Sequence, residues 1–173
     1  MEILLEILKL TIPGLLTFVA AWLVLKTYME NQQQLEQLKI SRDLQQASLP
    51  MKMQAYERLS LFCERIALPG LLLRTRREGM SAKALRAALM LSVQQEYEHN
   101  ITQQVYVSAQ LWEIIKIARD ESVNIISLVA EKAGPEATGQ QLAAMIFKVL
   151  EQQESLAVDK ALLAIKKEAA SKF

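Results

Sequence analysis

LTIPGLLTFVAAWLVL, Leu10–Leu25, is an uncharged apolar run closed at either end by a lysine, Lys9 and Lys26. Its reading decides the fold. In a helix the two lysines stand about 26 Å apart at ~1.5 Å per residue. Their long stems snorkel to cover the rest of a hydrocarbon layer roughly 30 Å thick. Trp22 and Tyr28 sit near one end, where amphipathic rings favour the headgroup region. The pattern predicts a transmembrane helix serving as an anchor over residues 1–28. A secretory signal fits worse, because Glu2 and Glu6 stand where a basic n-region belongs and Trp22–Lys26 offers no small-residue cleavage site. Within the run, Thr11, Gly14, Thr17 and Ala21 place small side chains on one face, and Leu15, Phe18 and Trp22 line a bulky one. Spans associate where small residues let backbones approach, so the small face is expected to pack against another span, from a second copy or a partner.

Outward from the anchor, residues 29–48 read as a polar helical stalk with Gln32, Gln33 and Gln34 and no Gly or Pro. Leu35 and Leu38 do not extend into repeated heptads, since Arg42 and Gln45 follow at that spacing, so a long coiled coil is not expected. Ser48-Leu49-Pro50 predicts a fresh helix start and the beginning of a soluble helical bundle over 49–173. Met51, Ala55, Leu59, Phe62 and Ile66 make an apolar stripe at helical spacing. Pro69-Gly70 is expected to end that helix, with Leu71–Leu73 tucked beneath the bundle in a connection. Ser81 opens a helix to about Glu98, and Ile101–Val107 alternates and is β-branched, which predicts an extended connector. Ser108 caps the longest helix of the bundle, stopped by Gly134-Pro135. Thr138 or Gly139 opens the next, and Ser155 caps the last. The fold class is all-α: an N-terminal transmembrane helix, a stalk and a bundle of about five helices.

Composition narrows the function. Outside the first 28 residues the basic and acidic side chains balance to within one charge, which argues against nucleic acid as a partner. The single cysteine, Cys63, borders the first apolar stripe and reads as a small buried thiol. Glu96-Tyr97-Glu98-His99 contains Glu-x-x-His, the spacing of carboxylate-bridged metal bundles, but His99 is the chain's one histidine and such a centre needs two. Glu96, Glu98, His99 and Asn100 are kept as a polar candidate site beside the simpler reading of a helix end closed by His99 and Asn100. No nucleophile elbow or Gly-rich phosphate loop is present, so no catalytic residue, metal or cofactor is assigned. Arg74, Arg76, Arg77, Lys83 and Arg86 form a basic cluster relieved only by Glu78, a candidate contact for anionic lipid or a protein partner. Lys26, Lys39 and Arg42 follow the run while Glu2 and Glu6 offset Lys9 before it, which places the C-terminal domain on the cytoplasmic side.

Three further stretches, Gln54-Ala55-Tyr56-Glu57-Arg58-Leu59, Glu96-Tyr97-Glu98-His99-Asn100 and Gln103–Ser108 with Trp112 after it, carry a resemblance. With the N-terminal run, the chain resembles an uncharacterised family of small single-span membrane-anchored helical proteins of Bacteroidota bacteria. The resemblance implies a bacterial inner-membrane protein and brings no activity, cofactor or substrate. The expectation is a non-catalytic interaction or scaffold subunit of a membrane protein complex, partnered by the lipid bilayer and by another protein or its own copies. The rivals are a metal- or ligand-binding enzyme centred on Glu96, Glu98 and His99, and a self-assembling structural membrane protein.

Overall fold

The computed structural model describes the backbone of residues 2–171 and the side chains of residues 9, 11, 13–40, 42, 43 and 47–171. Among these every regular element is helical: α1 (Glu2–Ile66), α2 (Leu68–Thr75), α3 (Ala82–Asn100), a 3-10 helix (Ile101–Val105), α4 (Ala109–Ala133), α5 (Gly139–Glu151) and α6 (Ala157–Ala170). The chain divides into two units, Met1–Ser48 and Leu49–Phe173.

The first unit is helical throughout its described backbone. Its apolar side chains from Leu15 to Leu25 are exposed, from 41% at Val19 to 71% at Phe18. Among the described residues no helix is long and apolar enough to cross a membrane, so the transmembrane helix expected over residues 1–28 is not found there. Within the described side chains the apolar run is closed at Lys26 and followed by the polar Thr27, Tyr28 and Glu30, which lower the hydropathy of any longer stretch. Leu10 and Ile12, which the sequence adds to the run, lie outside the described side chains.

In the second unit α4 is the hub, packing against α3, α5 and α6. Its inner face is Leu111, Trp112, Ile115, Ala118, Ser122, Ile125, Ile126 and Val129, all buried. The buried Ser122 hydroxyl is satisfied by donating to the Ala118 carbonyl at 3.1 Å. Ala55, Leu59, Phe62 and Ile66 of α1 are buried as their spacing requires, while Met51, at the head of that stripe, is 52% exposed. Leu85, Leu89 and Val93 of α3, Leu142 and Ile146 of α5, and Val158 and Ile165 of α6 complete the core.

Helix starts follow local chemistry. Ser81 and Ser108 accept from the Ala84 and Leu111 backbone N–H groups at 3.2 and 3.1 Å. Thr138 forms a capping box with Gln141, which settles the alternative between Thr138 and Gly139. The starts of α3 and α5 are tied by a short antiparallel bridge, in which Ala82 N–H donates to the Ala137 carbonyl at 2.9 Å and Gly139 N–H to the Met80 carbonyl at 2.7 Å. A Cβ at Gly139 would stand 2.8 Å from the Met80 oxygen, so the bridge requires glycine.

Four expectations are corrected. Helix α1 runs through Ser48-Leu49-Pro50 without a fresh start, since a proline removes one helical hydrogen bond and the strong formers around it carry the helix on. Pro69 sits in the first turn of α2, where its missing donor costs nothing, so Leu71–Leu73 is helical; Leu71 and Leu72 are buried but Leu73 is 75% exposed. Residues Ile101–Val105 wind into a 3-10 turn, because an extended β-branched segment needs a neighbouring strand and none is present among the described residues. The last helix is capped at Leu156, whose N–H donates to the Asp159 carboxylate at 3.3 Å, not at Ser155.

Two carboxylates tie α4 to α6 where the helices lie alongside one another. Glu121 of α4 accepts the Ala157 N–H at the start of α6 at 2.6 Å. Glu168 of α6 accepts the Ser108 N–H at the start of α4 at 2.9 Å, along with the Ser108 hydroxyl and, at 3.1 Å, the Tyr56 hydroxyl of α1. Each helix thus supplies an anion to the positive end of the other.

Leu59→Asp and Ile115→Asp each place a charge at a fully buried position. An unpaired buried charge costs at least several kcal/mol against a total of about 5–15. Circular dichroism melts should show either variant unfolded at temperatures where the parent is folded; a parental melting curve would show that these positions do not face the core.

Candidate functional site

The C-terminal end of α3 and the outer face of α1 between residues 54 and 65 enclose a groove. Its walls are Gln54, Glu57, Arg58, Leu61 and Arg65 from α1 and Glu96, His99 and Asn100 from α3, with Phe62 at its floor. It brings together three of the four residues of the polar candidate site. Arg65 Nη1 reaches Glu96 Oε1 at 2.9 Å across the groove, and Asn100 turns its amide back to the Glu96 carbonyl at 2.8 Å. Glu98 is absent from the walls and accepts from Gln94 at 2.8 Å on its own helix. Among the described residues no three His, Cys, Asp or Glu side chains gather at a spacing that holds a metal ion. Chemically the groove offers a guanidinium–carboxylate pair, an exposed imidazole and an apolar floor, a surface for recognition through hydrogen bonds.

The basic cluster divides in two. Arg74 donates to the Arg65 carbonyl at 2.6 Å and thereby closes the C-terminal end of α1. Arg76 and Arg77 line a second groove with Met80, Ser81, Glu136 and Thr138, where the starts of α3 and α5 meet. Lys83 is exposed and Arg86 half-buried on α3. Among the described residues neither Arg76, Arg77, Lys83 nor Arg86 has an acid within ion-pair distance. In the first unit the small face is open: Thr11, Gly14, Thr17 and Ala21 are exposed, a Cβ at Gly14 would meet nothing, and the Thr17 hydroxyl donates to the Gly14 carbonyl at 2.9 Å.

A match to a family profile described as a family of unknown function, DUF7935, extends over residues 2–172. The chain belongs to the DUF7935 family. No curated protein and no solved structure matches it.

In this DUF7935 chain the three stretches that carry the resemblance noted above meet in packing contacts. Tyr56 bonds Glu168, and Ser108 bonds the same carboxylate. The Tyr97 ring stacks on Trp112 at 5.9 Å between centroids, tilts against Phe62 at 6.3 Å, and carries the Arg119 guanidinium 4.2 Å from its centre. The α1 wall of the first groove was not legible in sequence, since Glu57, Arg58 and Arg65 read only as the outer face of an amphipathic helix. Glu121 and Glu168 were missed for the same reason: their partners lie 36 and 60 residues away.

Burial, with a smaller contribution from neighbouring Glu64, pushes the Cys63 thiol up to about 12. Burial, then the charge and hydrogen bond of Glu168, pushes the Tyr56 hydroxyl up to about 12. Cys63 is therefore a buried core thiol that holds its proton. Both groups bind their protons more tightly when folded. Their contributions are intact below the unfolded values, near 9 for the thiol and 10 for the phenol, and are lost as pH rises from there towards 12. Denaturant titrations of the full chain should show stability falling steadily above pH 9, with Cys63→Ala delaying the onset by about one unit. An unchanged onset in Cys63→Ala would show that the thiol ionises freely in the folded protein.

Proposed function

We propose that this DUF7935 protein is a single-span membrane-anchored helical-bundle protein acting as a non-catalytic interaction or scaffold subunit of a bacterial inner-membrane protein complex, with its C-terminal domain on the cytoplasmic side. One observation carries the reading. Leu15, Leu16, Phe18, Trp22, Leu23, Val24 and Leu25 are each more than half exposed and, at 100° per residue, point all round α1. A helix apolar on one stripe packs on a core; one apolar all round needs an apolar surrounding on every side. Lipid supplies that at the described stretch, and Leu10 and Ile12 lengthen the run in sequence.

Other features agree with this surrounding. Thr17 and Thr27 bond their hydroxyls to carbonyls of their own helix, at Gly14 and Leu23, both at 2.9 Å, so neither needs water. Lys26 lies 5.5 Å from the centre of the Trp22 ring and 4.0 Å from Glu30, a cluster suited to the boundary between hydrocarbon and water. The interaction role is supported by Arg76, Arg77 and Lys83, exposed cations without a partner in the described chain, and by the groove at Arg65 and Glu96. The groove also supports a second reading, a ligand-binding site on Glu96, His99 and Asn100.

The membrane reading is tested in cells expressing the full chain. Alkaline carbonate should leave the parent in the membrane pellet and release a variant with Val19→Lys and Leu23→Lys, each lysine costing about 2.5–3.5 kcal/mol at mid-membrane. Release of the parent itself would reject the anchor. For the interaction role, Arg76→Gln with Arg77→Gln should reduce, in a salt-sensitive way, the partners recovered by crosslinking from native membranes.

A further inference from the structure

After Leu38 the heptad spacing meets Arg42; before Leu35 it meets no charge. Alternating steps of three and four from Leu38 lead to Leu35, Asn31, Tyr28, Val24, Ala21, Thr17 and Gly14. All lie on one seam of one uninterrupted helix, about 36 Å long at ~1.5 Å per residue. Val24, Tyr28, Leu35 and Leu38 on this seam are each more than half exposed. Tyr28, Leu35 and Leu38 follow Lys26, the charge that closes the apolar run, so the hydrocarbon that would cover Leu15–Leu25 does not cover them. The small residues permit close approach, and these larger side chains add apolar area along the same seam, though Met29 and Ile40 off it are equally exposed.

The flanks of the seam identify the cover. Thr27, Gln32 and Gln34, beside it, are neutral, and Lys39 is the one charge at its edge. Lys26, Glu30 and Glu36 lie on the far side of the helix, Lys26 and Glu30 neutralising each other at 4.0 Å. A seam with neutral flanks does not repel its own copy, whereas a seam built for a different chain is commonly selected by charges in those positions. Asn31 sits on the seam, and among the described residues its carboxamide has no hydrogen-bond partner. An amide carries both donor and acceptor, so two copies of Asn31 bond each other across a two-fold axis.

We propose that residues 14–38 form a parallel two-helix seam with a second copy of this chain. The parallel direction rests on the anchor proposed above, because two copies inserted alike present the same face on the same side of the membrane. The small face then packs within the bilayer, and Tyr28, Asn31, Leu35 and Leu38 continue the contact outside it.

The test uses the full chain in vesicles of phosphatidylethanolamine and phosphatidylglycerol, with Cys63→Ala as background. Single cysteines replace Tyr28, Leu35 or Leu38 on the seam and Gln33, Gln37 or Ile40 on the opposite side. Under mild oxidation the seam set should give on the order of tenfold more disulfide-linked dimer than the other, since the bond forms only where Cβ atoms approach within about 4.5 Å. Equal yields in both sets, or no dimer from the seam set, overturn the proposal. Carbonate extraction of the same samples separates the two readings. Periodic crosslinking in extractable protein keeps the seam and rejects the anchor, while a retained protein without periodicity rejects the seam alone. Leu35→Glu with Leu38→Glu, in detergent, should shift the light-scattering mass from dimer to monomer; a surviving dimer overturns the seam.

Discussion

Glu168 is where the second unit closes on itself. Its carboxylate takes the Ser108 N–H and hydroxyl at the start of α4 and the Tyr56 hydroxyl of α1, while Glu121 of α4 answers at the start of α6. The start of a helix leaves backbone donors without intrahelical partners and carries a partial positive charge that favours an anion. Here each helix covers an orphan of its neighbour with a charge. The arrangement holds only if α4 and α6 lie alongside in one register, since a shift of a single turn would part both pairs. Apolar burial makes the helices associate; the two carboxylates select which association is kept.

The bridge between the starts of α3 and α5 does similar work with backbone groups alone. Ala82 and Gly139 donate in opposite directions across it, and the close approach at Met80 leaves no room for a side chain at Gly139. Arg76 and Arg77 stand beside this junction, on a segment whose neighbour Leu73 faces outward. A bonded backbone junction thus carries exposed, charged side chains beside it. The same division holds at the first groove, where the core residue Phe62 forms the floor and the Arg65–Glu96 pair the rim. A partly exposed pair of this kind adds little to stability.

The first unit obeys a different constraint. Its apolar side chains from Leu15 to Leu25 point all round the helix, so no single neighbour within a bundle satisfies them, and the Thr17 and Thr27 hydroxyls bond to their own backbone. A surrounding that is apolar in every direction and a seam that is apolar in one direction are separate demands. The run from Leu15 to Leu25 makes the first; Tyr28, Leu35 and Leu38 make the second.

The sequence by itself determined the all-helical class, the inner stripes of α1 and α4, and the caps at Ser81, Ser108 and Thr138. These depend on residues within a turn or two of one another, where spacing and side-chain chemistry act directly. It did not determine that Pro50 is passed over while Pro69 starts a helix, because a proline's effect depends on whether packing repays the lost hydrogen bond. Nor did it show that Ile101–Val105 coils, since β-branched residues extend only beside a strand. Tertiary structure alone decided which wall faces Glu96 and His99, why Glu98 is left outside, and where Glu121 and Glu168 send their charges. Those pairings span 31 to 112 residues, and nothing local to either partner encodes the other.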